Sequence, residues 1–349
     1  MTIFDPILDF FRGKAVTVPP LDGAFRPNRR LDEATVAGAI ASPIDLAVYD
    51  GALVVASGNA VHRLESDGSF AVHAIFPAPV SALAVSTDGR LAVALETGAL
   101  SVDGQAIALP DDIRSITALA FSPDGTLFLA NGSQKNAPSA WKRDLMEKQA
   151  SGSLWRVGSE GARKVAGGLA WPQGIAFAGG RLIASESWTR RLVAIDPDTG
   201  AISTALANIP GYAGRITPLS VGGFALSVFA PVNRLIEFVL QEDTYRTDML
   251  REVDPACWIA PMLSSGRSFL EPLQCGGIKT MGIHKPWAPS LSYGLLARLD
   301  ASLHPVDSYH SRADGNRHGI FGAAEKDGHL YTISAGGDVL LDLGEGQTA

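Results

Sequence analysis

Apolar and polar residues alternate along most of this chain in one repeated sentence: a short apolar strand, a tight turn, a second apolar strand, then a further alternation. The copies read SPIDLAVYDGALVVAS from Ser42, APVSALAVSTDGRLAVAL from Ala78, SITALAFSPDGTLFLAN from Ser115, WPQGIAFAGGRLIASES from Trp171, GRITPLSVGGFALSVF from Gly214 and GIFGAAEKDGHLYTIS from Gly319. Each Asp-Gly or Gly-Gly supplies the positive φ that a tight hairpin needs, and the flanking Ala, Val, Leu and Ile suit strands packed on both faces. Outer strands such as AVHRLES, GSLWRVG, RRLVAID, GLLARLD and GDVLLDL accompany most copies. Six copies at a spacing of about 40 residues predict an all-β, six-bladed propeller with four strands per blade around a central channel. A β-sandwich would not repeat one hairpin pattern six times.

The interval between the fifth and sixth copies is stretched, and Leu235, Ile236, Phe238, Val239 and Leu240 predict a helix within it. The expected organisation is an N-terminal segment, 1–35, with a short helix and an extended arm, then the propeller over 36–349, with 234–289 as a partly helical insertion in blade five. Long connections in such scaffolds carry function, so this insertion reads as a cover over the channel or as an oligomer interface.

Composition then limits the partners. With 46% apolar and 19% charged residues and net charge −7, the chain has ample core material, and its acidic balance disfavours nucleic acid. The first residues, MTIFDPILDFFRGK, lack the pattern of a secretory signal because Asp5 and Asp9 interrupt the apolar run, which leads to an expected cytoplasmic location. The apolar stripe of residues 1–12 would dock on the propeller rather than on a bilayer. Cys257 and Cys275 have no zinc or redox spacing and are expected to be buried thiols. No nucleotide-binding, HExxH or nucleophile-elbow motif is present, which gives no support for a cofactor.

Several stretches resemble the strictosidine-synthase-like family. GGLAWPQGIAFAGGRLIASESWTRRLVAID is similar to its strand-turn-strand signature, LFLANGSQKNAPSAWKRDLMEKQASGSLWRV to its long blade-three connection, and NIPGYAGRITPLSVGGF to its blade-five entry. Together with SYGLLARLD and EKDGHLYTISAGGDVLLDL, the resemblance spans residues 42–240 and 291–343. It implies a propeller handling a small molecule in its funnel, as do the adipocyte plasma membrane-associated protein and, more distantly, the metal-dependent gluconolactonases and paraoxonases.

Carried over residue by residue, that resemblance departs at the chemistry. Where lactonase relatives place Glu, Asn and Asp around a divalent cation, this chain has Ile44, Gln173 and Gly214, too poor a donor set for a hard cation. No metal is therefore expected. Strand alternation would turn the neighbouring Asp45 to the opposite side. Where the family's plant enzymes that condense an amine with an aldehyde place a catalytic Glu in blade six, Phe321 stands, and a phenyl ring transfers no proton.

The remaining candidates for acid–base work are Glu186 and His318. Against them stand an ion pair of Glu186 with Arg190 or Arg191 and a turn histidine held by Asp314. Gln173, Trp171, Trp188, Tyr212, Arg215, Arg317 and Phe321 are the candidate ligand contacts, with aromatic packing as the plain alternative. Ser133 and Ser187 lack the setting of a nucleophile. Three functions are compatible with these residues: a metal-independent hydrolase or carbon–nitrogen bond enzyme for a cyclic or aromatic substrate, a non-catalytic ligand-binding propeller, or a metal-dependent lactonase or arylesterase. A scaffold acting through the blade-five insertion is the remaining class.

Overall fold

In the computed structural model, residues 18–158, 161–265 and 292–345 are described, together with the backbone of short strand pairs within 273–289. The hairpin copies build six four-stranded antiparallel sheets arranged as the blades of a propeller. Their innermost strands are Pro43–Tyr49, Val80–Val85, Ile116–Phe121, Pro172–Ala178, Gly211–Pro218 and Ile320–Lys326. The first hairpin turns through Asp50 and Gly51, at φ 48° and 68°, and the last through Asp327 and Gly328, at 51° and 79°. Both turn residues have positive φ, which matches the twist of the strands and explains why Asp-Gly recurs there.

Blade six is completed from the other end of the repeats. Its fourth strand is Thr35–Ala39, which pairs with Val339–Glu345. Just before it, the one-turn helix Arg30–Glu33 fully buries Leu31 among Leu296, Ile320 and Leu341. Residues 24–32 are also pinned to the outer strand of blade five: Arg30 pairs with Asp307 at 2.7 Å and lies 3.7 Å over the Tyr309 ring.

The insertion in blade five leaves between its second and third strands. It carries two helices, Arg234–Gln241 and Asp243–Glu252, and Asn233 caps the first by accepting from the amide of Leu235 at 2.8 Å. The long connection of blade three leaves at the equivalent place and forms the helix Trp141–Glu147. The two connections meet on one face of the propeller, where Arg246 donates to the carbonyl of Met146. Cys257 is exposed in the short turn Pro255–Cys257, against the expected buried thiol, because that turn sits on the outer surface of the insertion. The apolar stripe of residues 1–12 and the side chain of Cys275 lie outside the described residues. No helix among the described residues is long and apolar enough to cross a membrane.

Candidate functional site

Every innermost strand breaks register with its neighbour at the same level. The pairing shifts between Pro43 and Asp45, Val80 and Ala82, Ile116 and Ala118, Pro172 and Ile175, Ala213 and Ile216, and Ile320 and Gly322. A bulge leaves the extra residue out of the ladder and re-aims the side chains beyond it. The carbonyls of Ser81, Thr117 and Gln173, all skipped by the ladder, are thereby free to bond across the propeller.

One side chain takes all three. Arg215, from blade five, donates to the carbonyls of Ser81 at 2.9 Å, Gln173 at 3.2 Å and Thr117. It also pairs with Asp45 at 2.9 Å. A single guanidinium thus ties blades one to five together on the channel axis, with Asp45 and Arg215 both more than nine-tenths buried. Asp45 also accepts from the amides of Leu83 at 2.7 Å and Leu46 at 3.0 Å. Burial pushes its carboxyl up from the ordinary range, while Arg215 and the two amides pull it back down. The Nε of Arg215 is buried without a hydrogen-bond partner among the described residues.

Asp45 therefore faces the axis rather than away from it, which corrects the alternation argument. A one-residue bulge reverses the side a residue faces, and Ile44 is the residue that packs between blades one and two, against the Val54–Val80 cluster. The other matched positions are equally unlike metal ligands. The Gln173 amide oxygen accepts from Trp171 at 2.7 Å. Gly214 has no side chain, and a Cβ there would lie 2.5 Å from the hydroxyl of Ser227. With a fixed positive charge already on Asp45, the axis does not suit a divalent cation, and no group of three or more His, Cys, Asp or Glu fit to hold one occurs among the described residues.

Asp45 and Arg215 form the floor of a cavity of about 800 Å³ that opens on the hairpin-turn face. Leu46, Leu83, Leu119, Ile175 and Ile216 line its walls, and Glu325 and Asp327 stand toward its mouth. The opposite mouth is packed with aromatic rings. Trp171 stacks on Trp188 at 5.3 Å, Trp188 meets Tyr212 edge-on at 5.7 Å, and Phe229 stacks on Phe321 at 5.4 Å. Trp141, Ile236, Val239, Met249 and Trp258 from the two long connections close over these rings. The candidate contacts Trp171, Trp188, Tyr212 and Phe321 are thus brought together as a hydrophobic cluster, whose polar edges are satisfied inside the protein: Trp188 donates to Asp144 at 2.8 Å and Tyr212 to Glu237 at 3.1 Å. Burial raises the Asp144 carboxyl, a group the sequence did not single out.

Glu186 and His318 are not brought together. Glu186, on the second strand of blade four, accepts from the amide of Ala170 at 2.9 Å and pairs with Arg191. His318, entering blade six, bonds Ser292 at 2.6 Å and the carbonyl of Arg312 at 2.7 Å. Asp314, expected to hold His318, instead pairs with Arg29 of the N-terminal segment. Arg317 is partly exposed on the same connection, its amide donating to Ser311 at 3.0 Å.

No protein-family model matches the sequence, and no curated protein matches it. Solved structures do. A gluconolactonase from Xanthomonas campestris aligns over 91% of this chain and 91% of its own, with 14% identity and a TM-score of 0.57. The calcium-binding protein regucalcin from Agrobacterium tumefaciens aligns over 89% of this chain and 93% of its own, with 14% identity and a TM-score of 0.56. These neighbours lie on the gluconolactonase side of the resemblance. At such identities the similarity establishes the shared propeller, and function rests on this chain's own residues.

Proposed function

We propose that this protein is a lactonase- or esterase-type hydrolase of small molecules whose charge-stabilising group is a protein guanidinium. The observation that carries this reading is the buried Asp45–Arg215 pair on the floor of the 800 Å³ cavity. A carboxylate raised by burial is a general base closer to neutrality, able to take a proton from water. The adjacent guanidinium stabilises the negative oxygen that develops when water adds to an ester carbonyl, in a site with little water to screen it. In this reading the aromatic cluster and the helices of the 234–289 insertion are a fixed roof, and substrate enters from the hairpin-turn face.

The gluconolactonase neighbour supports the hydrolase class. The metal of the fold family is not part of the proposal, because Ile44, Gln173 and Gly214 do not fit one. A panel of lactones and aryl esters, with and without chelator, tests it. Turnover that survives chelator and falls about 100-fold in Asp45→Asn is expected; turnover abolished by chelator, or unchanged in Asp45→Asn, overturns it. A second reading, a ligand-binding propeller without turnover, is favoured by the saturation of Glu186 with protein partners, and ligand binding without any hydrolysis would select it.

A further inference from the structure

Apart from the channel, three side chains form a proton path at the junction of blades five and six. The carbonyl of Arg312 can only accept, so the Nε2 of neutral His318, 2.7 Å away, carries the ring proton. In the neutral ring Nδ1 is the acceptor, and the hydroxyl of Ser292, 2.6 Å away, donates to it. With its own proton committed to His318, the Ser292 oxygen is free to accept from the hydroxyl of Ser265 at 2.9 Å. The Ser292 amide also donates to the Ser265 oxygen at 3.0 Å, which fixes the pair. With His318 neutral, the directions along the path are Ser265 to Ser292, Ser292 to His318, and His318 to Arg312.

Burial along this path is graded. Ser292 is fully buried, His318 is 4% exposed, and Ser265 is partly exposed. The backbone beside it is held tightly, since a Cβ at Gly336 would come within 1.9 Å of the Leu263 carbonyl, and one at Gly319 would come within 3.1 Å of the Leu263 side chain. None of the three residues lines the channel cavity. A partly exposed serine backed by a hydrogen-bonded chain that ends in an imidazole is the arrangement that activates a serine.

We propose that Ser265 is a nucleophilic serine, activated through Ser292 by His318, that takes ester-type acyl groups. In the acylation step the Ser265 oxygen attacks the carbonyl carbon; its proton passes to Ser292, and the Ser292 proton passes to Nδ1 of His318. The imidazolium keeps its Nε2 proton on the Arg312 carbonyl. As the tetrahedral adduct collapses, the Ser292 hydroxyl gives its proton to the departing alkoxide and is reprotonated from Nδ1 of His318, giving an acyl-serine and an alcohol. Water, deprotonated along the path in the same way, then releases the acid and restores Ser265. Ser292 exchanges a proton with Ser265 in the first step and, once Ser265 is acylated, with the departing alkoxide and the attacking water, so it is a catalytic residue in this scheme.

The site is independent of the hydrolase reading for the channel and is tested separately, with a fluorophosphonate probe on the full chain and mass spectrometry of the labelled peptide. Labelling is expected at Ser265, absent in Ser265→Ala, slowed about 100-fold in Ser292→Ala and His318→Gln, and restored in Ser292→Thr, which keeps the hydroxyl. Ser292→Ala removes one oxygen, and its melting temperature reports whether the fold survives. The proposal is overturned if the folded protein gives no adduct at Ser265, or if Ser292→Ala, still folded, is labelled at the wild-type rate.

Discussion

Asp45 and Arg215, from blades one and five, meet at 2.9 Å on the propeller axis, and the same guanidinium holds carbonyls from blades two, three and four. Breaking a buried pair by removing one partner strands the other charge and costs about 3–5 kcal/mol. Arg215→Met should lose stability in that range by urea denaturation. The Asp45→Leu, Arg215→Met double variant should lose less than the sum of its singles, since it leaves no stranded charge. Additive losses would show that the two groups are not coupled.

Phe321 stands where the resemblance would place a catalytic acid, and it is stacked on Phe229 beneath the helical roof. Phe321→Ala should cost about 3–5 kcal/mol through the cavity it leaves. Phe321→Glu should cost at least as much, because a carboxylate there has rings rather than partners around it. Melting curves that match wild type would contradict the packing described.

Glu186 is held by partners within the protein. Its partners are the Ala170 amide and the half-exposed Arg191, so Glu186→Gln keeps the neutral hydrogen bond and loses the charged one. A loss of about 1–3 kcal/mol is expected, with kcat on any substrate unchanged. A large fall in kcat at unchanged stability would return Glu186 to the chemistry.

Stability should also depend on pH through His310, which is fully buried between the hydroxyls of Tyr293 and Ser308. Burial, with Arg30 adding to it and Asp307 opposing, lowers its pKa from 6.5 to about 4. Above pH 6.5 the ring is neutral in both the folded and unfolded states, and its full contribution is present. As pH falls from 6.5 toward 4, the unfolded chain takes up the proton first, so stability declines by roughly 2–3 kcal/mol over that window. The urea midpoint of wild type should drop across it, and that of His310→Asn should drop less. Equal slopes would place the titrating group elsewhere.

The hairpin pattern was enough for six blades, because Asp-Gly turns and two-sided apolar strands are local signals, and the helix at Leu235–Leu240 could be read from its own periodicity. The closing strand Thr35–Ala39 was not legible, since TVAGA is a lone strand whose partner lies some three hundred residues away in sequence. The bulges were not legible either, and they decide the site: strict alternation turned Asp45 outward, whereas the register shift turns it to the axis. Arg215 could be singled out as a contact, yet its role as hub depends on backbone carbonyls, which sequence does not mark. Ser292 and His318 lie 26 residues apart on either side of blade five's outer strands, so only the fold joins them.

The central claim is that the Arg215 guanidinium, paired with Asp45, occupies the propeller axis and leaves no place there for a divalent cation. Elemental analysis of the purified protein, followed by calcium titration monitored by melting temperature, tests it most directly. The account predicts substoichiometric metal and a melting temperature indifferent to both calcium and chelator. Stoichiometric calcium that raises the melting temperature and is lost in Asp45→Asn would contradict it.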